Sequence, residues 1–513
     1  MKGQFPPLLK VLSRLAFWRL RVGNDLLALC AGALLPLAFS PLAIWPLAIL
    51  SMFLLFWLWE RATPRRAAWQ GGLFGIGAFS TGIYWVYISL HYYGNAPAAF
   101  AVLTTLALVL LMALYPAAAG YLLARWMPYS GWCKWLLIAP ALWAGLEWIR
   151  SWLFTGFPWL SLGYSQIDSL LGGLAPYLGI FGVSWAVALS ASLLLLLIQS
   201  NWQKRLILTT LAVILWGGAW GLAQINWSKP QGEPLRISLI QGNVSQDRKW
   251  QPEQLQKTLQ LYARLSLQVA EESDIVIWPE TAIPMFYQDA ENFIRAMAIS
   301  ARRSDTDYLV GVPSGSWETR VFYNGVVSFG NSHGFYYKRR LLPFGEYLPL
   351  RSLLNFFHRF VEIPMADFTP GREDQALLKA AGYPVGVSIC FEAAFGSEIR
   401  KDLPRAKFLV NISNDAWFGN SLAPYQHLQI VRMRALETGR YLARATNTGI
   451  TALLDERGRV LVSGEAFSTT VVQGMVQPMI GATPYVRMGD SAMVILMSTL
   501  IAVGLILGHI RES

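Results

Sequence analysis

Cysteine, histidine and charge are all scarce in this chain of 513 residues. It contains three cysteines and five histidines, and only 14% of its residues are charged. Two of the cysteines, Cys30 and Cys133, lie in or beside apolar segments, so a disulfide framework is excluded and Cys390 is left alone in the polar part. Without a CxxC pair or histidines at metal-ligand spacing, we expect no metal site and no cofactor.

Apolar residues are correspondingly abundant. Hydrophobic residues make up 54% of the chain, which has 22 tryptophans, and the mean hydropathy is +0.37. These values exceed those of ordinary soluble proteins and indicate a membrane protein with an aqueous part. The net charge of +11 could point to nucleic acid, but in a membrane protein the placement of the basic residues has to be considered first.

Long apolar runs predict about eight transmembrane helices. Seven runs fall within residues 1–227, which we predict to be an N-terminal membrane domain, and an eighth falls within 486–513, a C-terminal helix with a short cytoplasmic tail. The predicted spans lie near 25–40, 42–59, 68–90, 98–124, 135–153, 176–199, 206–224 and 490–509. Most approach the roughly 20 residues that a bilayer helix needs.

The basic residues predict the orientation of these spans. Arg61 and Arg65 follow the second span, and Lys204 and Arg205 lie between the sixth and the seventh, whereas the alternate short loops carry no lysine or arginine. The positive-inside rule then places both termini in the cytoplasm and residues 228–485 in the periplasm of a bacterium. Topology thus accounts for part of the positive charge, and no nucleic acid partner is expected.

Residues 228–485 have a different pattern of apolar and polar residues from the membrane part. Short β-rich runs such as LRISLIQGNV, DIVIWPE, YPVGVSICFE and KFLVNISND alternate with helical patterns such as PEQLQKTLQLYARLSLQVAEES. Strands with intervening helices predict a layered α/β domain.

Three polar residues stand at or near the ends of predicted strands in this domain: Glu280, Lys338 and Cys390. Strand ends are where side chains that are distant in sequence can converge. A thiol needs a base, and acyl transfer needs positive charge where the oxyanion develops, so a carboxylate, a lysine and a cysteine could together perform it without histidine. Taken singly, each also fits an ordinary structural role: a small buried hydrophobe, a loop carboxylate and a solvated lysine.

The motifs IWPET, YYKRRLLPFGEYLP and SICFE followed by NISNDAWFG resemble the Glu–Lys–Cys pattern of the nitrilase (carbon–nitrogen hydrolase) superfamily. With membrane spans on both sides and EWIRSWLFTGFPWLSLGYSQ in the membrane part, nearly the whole chain resembles the bacterial apolipoprotein N-acyltransferase family. The resemblance implies a nitrilase-like αββα-layered domain on an eight-helix membrane base. It also implies transfer of an acyl chain from a phospholipid to the α-amino group of the diacylglyceryl-cysteine that begins an apolipoprotein, the last step of lipoprotein maturation.

The resemblance implies a role for each residue of the triad. Cys390 would be the nucleophile and form a thioester, and Glu280 would be the general base. Lys338 would stabilise the oxyanion together with the backbone N–H of Phe391, and the covalent intermediate would give ping-pong kinetics. Position 391 is phenylalanine where the family pattern suggests tyrosine, so only the backbone donor is carried over.

Further positions match the family pattern. Glu346 and Glu392 are expected to orient the lysine, the base or the incoming amine. Trp250, Trp417 and Phe418 are expected to line the substrate entrance, with ordinary packing as the alternative for each.

Two other segments have both a structural and a functional interpretation. Leu350 to Pro364 is aromatic, leucine-rich and weakly basic, which is typical either of a lid that dips into the membrane or of a packed helix. Glu147 and Arg150 could pair to reduce the cost of burial or could contact a lipid headgroup, and we favour pairing.

Two other functions remain compatible with the sequence at this point. A membrane-tethered nitrilase-type amidase would share the triad but leaves eight spans unexplained. A transporter or scaffold should show charges at mid-membrane or inverted repeats, which the sequence does not show clearly. We favour acyl transfer by a monomer in the bacterial inner membrane, with phospholipid, apolipoprotein and the bilayer as partners.

Overall fold

The computed structural model describes residues 7–128, 131–347 and 367–510, and the fold below refers to these ranges. The predicted lid segment, Leu350 to Pro364, lies outside them. The α-helices are α1 (Pro7–Leu34), α2 (Pro46–Trp59), α3 (Pro64–Gly82), α4 (Trp85–Ile88), α5 (Ala98–Trp126), α6 (Ala139–Arg150), α7 (Ala175–Gln199), α8 (Trp202–Ala223), α9 (Pro252–Val269), α10 (Glu291–Arg303), α11 (Gly396–Arg400), α12 (Ala423–Thr438), α13 (Pro484–Met488) and α14 (Ser491–Ile510).

Each apolar run that was predicted to cross a membrane coincides with a helix, but not all of these helices are long. Five in the described ranges are long and apolar enough to cross a membrane, and the count reaches six if the bent pair that begins with α3 is one span. The helix α2 has 14 residues and α6 has 12. A π-helical segment, Cys133–Ile138, precedes α6 in the predicted fifth span. Eight spans therefore remain a prediction.

Small residues allow α3 and α5 to pack closely. A Cβ atom on Gly71 of α3 would lie 2.2 Å from the carbonyl oxygen of Pro116, and one on Gly120 of α5 would lie 2.4 Å from that of Ala67. Helices in a bilayer gain little from hydrophobic burial, so close van der Waals contact through glycines is a main source of their association.

Residues 228–485 carry the strands. They are β1 (Ser228–Pro230), β2 (Leu235–Gln241), β3 (Ile275–Ile277), β4 (Asp307–Ser316), β5 (Val321–Phe329), β6 (Gly334–Tyr337), β7 (Leu378–Ala380), β8 (Tyr383–Ile389), β9 (Phe408–Ser413), β10 (Leu442–Thr446), β11 (Ala452–Leu454), β12 (Val460–Ser463), β13 (Thr470–Val476) and β14 (Met479–Gly481). One six-stranded sheet has the order β13-β2-β3-β4-β5-β6, and a second has the order β12-β11-β10-β9-β8-β7. In each sheet the three strands β2-β3-β4 or β8-β9-β10 are parallel.

The two sheets pack face to face between layers of helices. Ile237 and Ile277 of the first sheet share one buried cluster with Val387 and Val410 of the second. The outer face of the first sheet is covered by α9 and α10, and that of the second by α11 and α12. The order of layers is thus helix, sheet, sheet, helix, which confirms the predicted layered α/β domain.

The helix α12 also joins this domain to the membrane part. Glu437 of α12 accepts a hydrogen bond from the backbone N–H of Ile180 in α7 at 2.7 Å and lies 2.9 Å from the guanidinium of Arg434. Arg434 in turn donates to the hydroxyl of Tyr164 at 3.1 Å. All of these side chains are buried, so the membrane part and the layered domain are connected through a polar cluster.

Candidate active site

Strand ends bring the three predicted residues to one cavity. Glu280 follows β3, Lys338 follows β6 directly and Cys390 follows β8 directly. All three line the same open cavity. Glu280 and Lys338 follow strands of the first sheet and Cys390 follows a strand of the second, so the three residues meet where strand ends of the two packed sheets come together.

Lys338 lies between two carboxylates. Its ammonium is 2.8 Å from Glu346 Oε2 and 3.7 Å from Glu280 Oε1. The amide of Asn324 bridges the same two acids, donating to Glu280 at 2.7 Å and to Glu346 at 2.9 Å. Burial lowers the pKa of Lys338, but Glu346 and Glu280 more than compensate and raise it above the usual lysine value. The ammonium therefore stays positively charged at neutral pH.

Cys390 lies at a sharp turn between β8 and a short 3₁₀ segment, Cys390–Ala394. Its φ of +50° is unusual for a residue with a side chain and is typical of strained functional turns. Burial and the nearby Glu280 raise the pKa of the thiol, although Lys338 lowers it. The resting thiol is thus protonated and requires a base.

The base candidate is within the same cluster. Glu280 Oε2 accepts a hydrogen bond from the backbone N–H of Asn414 at 2.9 Å, and its other oxygen accepts from Asn324. Register places Ile389 opposite Ile412, so Cys390 and Ser413 are adjacent at the ends of β8 and β9. Glu280 and Cys390 are therefore both positioned by strand ends of the layered domain.

Glu392, although next but one to the cysteine, does not line the cavity. It accepts backbone N–H bonds from Ile389 at 2.8 Å, Arg339 at 2.7 Å and Arg340 at 3.0 Å. Burial raises its pKa to about 7, while the hydrogen bonds from Ile389 and Arg340 act in the opposite direction. It ties the segment before Cys390 to the segment after Lys338, which fits the predicted orienting role.

The three aromatic residues predicted at the substrate entrance lie at the cavity, and their contact with a substrate stays a prediction. Trp250, Trp417 and Phe418 line the cavity. Phe418 packs edge-on against Trp85 of α4, with ring centroids 4.9 Å apart. The side chain of Phe391 is buried against Phe395, at 4.9 Å between ring centroids, and the role of its backbone N–H remains a prediction.

The membrane part contributes to the cavity wall. Ser89 and Leu90, in the π-helical segment Ser89–Tyr93 that follows α4, face the cavity, as does Gly94. The neighbouring Tyr92 is 64% exposed. A substrate in this cavity would thus contact both the layered domain and a segment of the membrane part.

Several residues at the site were not predicted from the sequence. Lys249 is buried on the cavity wall and donates to the backbone oxygen of Glu280 at 3.3 Å. Burial lowers its pKa to about 8, with a smaller opposing effect of Glu280. Asn324 could have been noticed as a polar residue within the β-rich run VFYNGVV. His427 could not have been identified from the sequence, because nothing in the residues around it on α12 indicates its contacts.

Glu147 and Arg150 find their partners near the end of α6. Arg150 donates to the backbone oxygen of Phe157 at 3.0 Å, and Glu147 accepts from Trp143 at 3.0 Å and from the backbone of Leu162 at 3.0 Å. Both side chains are buried. Burial of the two side chains is thus offset by these other partners, and direct pairing of Glu147 with Arg150 stays a prediction. Among residues 7–128, 131–347 and 367–510, no cluster of three histidine, cysteine or acidic side chains could hold a metal ion.

Comparison with known proteins gives matches along most of the chain. Residues 31–193 match the family model described as "Apolipoprotein N-acyltransferase N-terminal domain", and residues 236–485 match "Carbon-nitrogen hydrolase". A protein of Methylococcus capsulatus named apolipoprotein N-acyltransferase is 46% identical over 91% of this chain and 92% of that protein. Proteins of the same name from Nitrosomonas europaea and Azotobacter vinelandii are each 44% identical, over 89% and 92% of this chain and 91% and 93% of their own lengths.

Two solved structures each align with about half of this chain. A carbon–nitrogen hydrolase from Helicobacter pylori G27 aligns with 48% of this chain and 89% of its own, at 14% identity and a TM-score of 0.36. A CN-hydrolase superfamily protein from Xanthomonas campestris aligns with 52% of this chain and 97% of its own, at 18% identity and a TM-score of 0.36. Since both scores are low, the fold assignment depends on the strand order and on the family match.

Proposed function

The chain belongs to the apolipoprotein N-acyltransferase family, and from this premise we propose that it moves a fatty acyl chain from a membrane phospholipid to an apolipoprotein. The acceptor is the α-amino group of the N-terminal S-diacylglyceryl-cysteine, and the reaction is the last step of lipoprotein maturation. The single observation that carries the catalytic proposal is the convergence of Glu280, Lys338 and Cys390 on one cavity.

In the first half-reaction the thiol of Cys390 attacks the ester carbonyl of the phospholipid. Glu280 accepts the thiol proton as the carbon–sulfur bond forms, because the raised pKa of Cys390 keeps the thiol protonated at rest. The tetrahedral oxyanion is stabilised by Lys338 and by the backbone N–H of Phe391. The carbon–oxygen ester bond then breaks, Glu280 returns the proton to the leaving oxygen, and a lysophospholipid departs from the thioester.

In the second half-reaction the α-amine of the diacylglyceryl-cysteine attacks the thioester. Glu280 accepts a proton from the attacking nitrogen, the oxyanion is stabilised as before, and the carbon–sulfur bond breaks. The proton returns to the sulfur of Cys390, which leaves an amide on the apolipoprotein. One base thus serves both half-reactions, as the ping-pong scheme requires.

Lys338 acts as an electrostatic group in this scheme. Its raised pKa and its contact of 2.8 Å with Glu346 keep it protonated, so it supplies positive charge and cannot accept the thiol proton. Glu346 and Asn324 fix its position, and Glu392 fixes the backbone on both sides of the site. Trp250, Trp417 and Phe418 form the substrate entrance.

The position of the cavity favours a lipid substrate over a small amide. Part of the wall comes from Ser89, Leu90 and Gly94 of the membrane part, which an amidase tethered to a membrane would not need. A transporter or scaffold would not need a lysine held between two acids beside a cysteine. We therefore favour acyl transfer over both alternatives.

We further propose the arrangement of the chain in the cell. Residues 1–227 and 486–513 form the membrane part in the bacterial inner membrane, with both termini cytoplasmic. Residues 228–485 form the periplasmic catalytic domain, which acts as a monomer without nucleic acid. The basic loops and the apolar helices support this topology.

The decisive experiment is a search for the covalent intermediate. The purified full-length protein is incubated in detergent micelles with phosphatidylethanolamine, and the peptide that contains Cys390 is examined by mass spectrometry. We expect a hydroxylamine-labile acyl adduct in the wild type and none in Cys390→Ala, whereas Cys133→Ala serves as the matched control and keeps the adduct. Full acyl transfer by Cys390→Ala, or transfer without a thioester in the wild type, would refute the mechanism.

A further inference from the structure

A buried polar cluster behind Cys390 has no part in the reaction as described so far. His427, on α12, is 1% exposed, and Asp415 and Arg444 are fully buried. His427 Nδ1 lies 3.1 Å from Asp415 Oδ1 and 3.1 Å from the guanidinium of Arg444, which itself lies 2.7 Å from Asp415 Oδ2. The ring of Trp159, from the membrane part, covers the imidazole at 5.8 Å between centroids.

The other nitrogen of this histidine contacts the cysteine itself. His427 Nε2 lies 3.2 Å from the backbone carbonyl oxygen of Cys390. A carbonyl oxygen only accepts hydrogen bonds, so Nε2 carries the proton and donates. Nδ1 is then the acceptor for Arg444, so its 3.1 Å contact with Asp415 Oδ1 joins two acceptors and is not a hydrogen bond; Oδ1 accepts instead from the hydroxyl of Ser413 at 2.8 Å.

The charge state of the histidine agrees with this assignment. Burial and the neighbouring guanidinium of Arg444 lower the pKa of His427, although Asp415 opposes them. The imidazole is therefore neutral and has a single N–H. On Nε2, that N–H has the backbone oxygen of Cys390 as its acceptor at 3.2 Å.

The carbonyl of Cys390 and the N–H of Phe391 belong to the same peptide unit. A trans peptide is planar, and its C=O and N–H point in opposite directions. Holding the oxygen of Cys390 therefore fixes the direction of the Phe391 N–H, which is turned away from His427. A hydrogen bond to the carbonyl also polarises the peptide and strengthens its N–H as a donor.

We propose that His427 is a positioning residue for the oxyanion site: by donating to the Cys390 carbonyl it orients the Phe391 N–H toward the developing oxyanion. This inference rests on the proposed function, because it assumes an acyl-cysteine intermediate. Cys390 has a strained φ of +50°, and a turn of this kind persists only when neighbouring groups stabilise it. The hydrogen bond from His427 is one such stabilising contact. Arg444, which is held by Asp415, donates to Nδ1 and so favours the tautomer that carries its proton on Nε2.

Three substitutions at position 427 separate this role from simple packing. His427→Phe keeps a ring but removes the donor. His427→Gln places an amide N–H near the position of Nε2, whereas the shorter side chain of His427→Asn reaches only the position of Nδ1. His333→Phe, at an exposed histidine, is the matched control for the loss of an imidazole.

Two rates are measured on the full-length protein in detergent micelles. The first is formation of the Cys390 thioester from phosphatidylethanolamine, followed by quenched mass spectrometry. The second is alkylation of the same thiol by iodoacetamide, which needs a thiolate but no oxyanion donor. Loss of one direct oxyanion donor slows catalysis by about 100-fold to 1,000-fold, so for a group that acts through the donor we expect about 10-fold to 100-fold.

The inference is supported if His427→Phe and His427→Asn slow thioester formation by that amount, leave alkylation within about twofold, and His427→Gln recovers most of the rate. It is overturned if His427→Phe reacts at the wild-type rate, if both rates fall together, or if Gln is no better than Asn. Should the Phe variant fail to fold, the comparison of Gln with Asn decides. Absence of any adduct in the wild type would instead refute the proposed function.

Discussion

Replacement of Glu346 by glutamine tests how the site keeps Glu280 able to accept a proton. Lys338 is 2.8 Å from Glu346 and 3.7 Å from Glu280. At an effective dielectric constant of about 20 these separations correspond to attractions of about 6 and about 4.5 kcal/mol. Glu346 therefore attracts the ammonium of Lys338 more strongly than Glu280 does. Glu280 is left more weakly paired, so that its carboxylate can accept a proton.

In Glu346→Gln the larger attraction is lost and Lys338 is expected to move toward Glu280. Closing that pair from 3.7 Å to about 2.8 Å strengthens it by about 1.5 kcal/mol, which makes Glu280 a roughly tenfold weaker proton acceptor. The substitution also disturbs the hydrogen bond that the backbone of Leu342 donates to Glu346 at 2.7 Å, at a cost of about 1 kcal/mol. Together these effects predict thioester formation slowed by about 10-fold to 100-fold.

The assay is a single-turnover measurement of the acyl adduct on Cys390. Glu398→Gln is the matched control, because Glu398 is also buried and lies 3.7 Å from Arg339, but it does not line the cavity. We expect the control to lose stability and to keep the rate of acylation once folded. Acylation by Glu346→Gln at the wild-type rate, or an equal loss in Glu398→Gln, would show that the reasoning is wrong.

Three further predictions concern the thiol, the second lysine and the attachment of the domain. Because burial and Glu280 raise the pKa of Cys390, its alkylation by iodoacetamide should keep accelerating above pH 9, and Lys338→Met should slow it further by removing the charge that lowers that pKa; a plateau below pH 8 would contradict this. Lys249 has a pKa of about 8, so its charge is present below pH 8 and is lost above it. If it attracts the donor phosphate, Lys249→Met should raise the KM for phospholipid several-fold at pH 7 and have little effect at pH 9, with kcat unchanged; an equal KM at pH 7 would contradict this. Glu437→Ala leaves Arg434 buried without its partner and should cost about 3–5 kcal/mol, seen as a lower melting temperature in detergent, with the more conservative Glu437→Gln less affected; an unchanged melting temperature in Glu437→Ala would show that this cluster does not secure the domain.

Catalytic candidates could be found from the sequence where the signal is local. A β-branched or aromatic run that ends in a polar residue marks a strand end, and Glu280, Lys338 and Cys390 each follow such a run. Glu392 shows the limit of this reasoning. It is two residues from Cys390, yet the turn at φ +50° and the hydrogen bonds that bury its carboxylate place it behind the cavity wall.

Contacts between distant segments could not be found in this way. Asn324 bonds Glu280 across 44 positions, and His427 reaches the carbonyl of Cys390 across 37. The residues around each of them look like ordinary strand or helix sequence. The same applies to the predicted fifth span, since a hydropathy average over 135–153 does not reveal the π-helical segment that precedes α6.

The sequence by itself determined that the chain has long apolar helices on both sides of a layered α/β domain, because hydropathy and strand periodicity depend only on neighbouring residues. It also predicted which side chains would perform acyl transfer. Only the tertiary structure decided that Lys338 lies nearer to Glu346 than to Glu280, and that the carbonyl of Cys390 is held by His427. Distances of this kind are set by how two sheets and a membrane segment pack together, and no local pattern of residues records that packing.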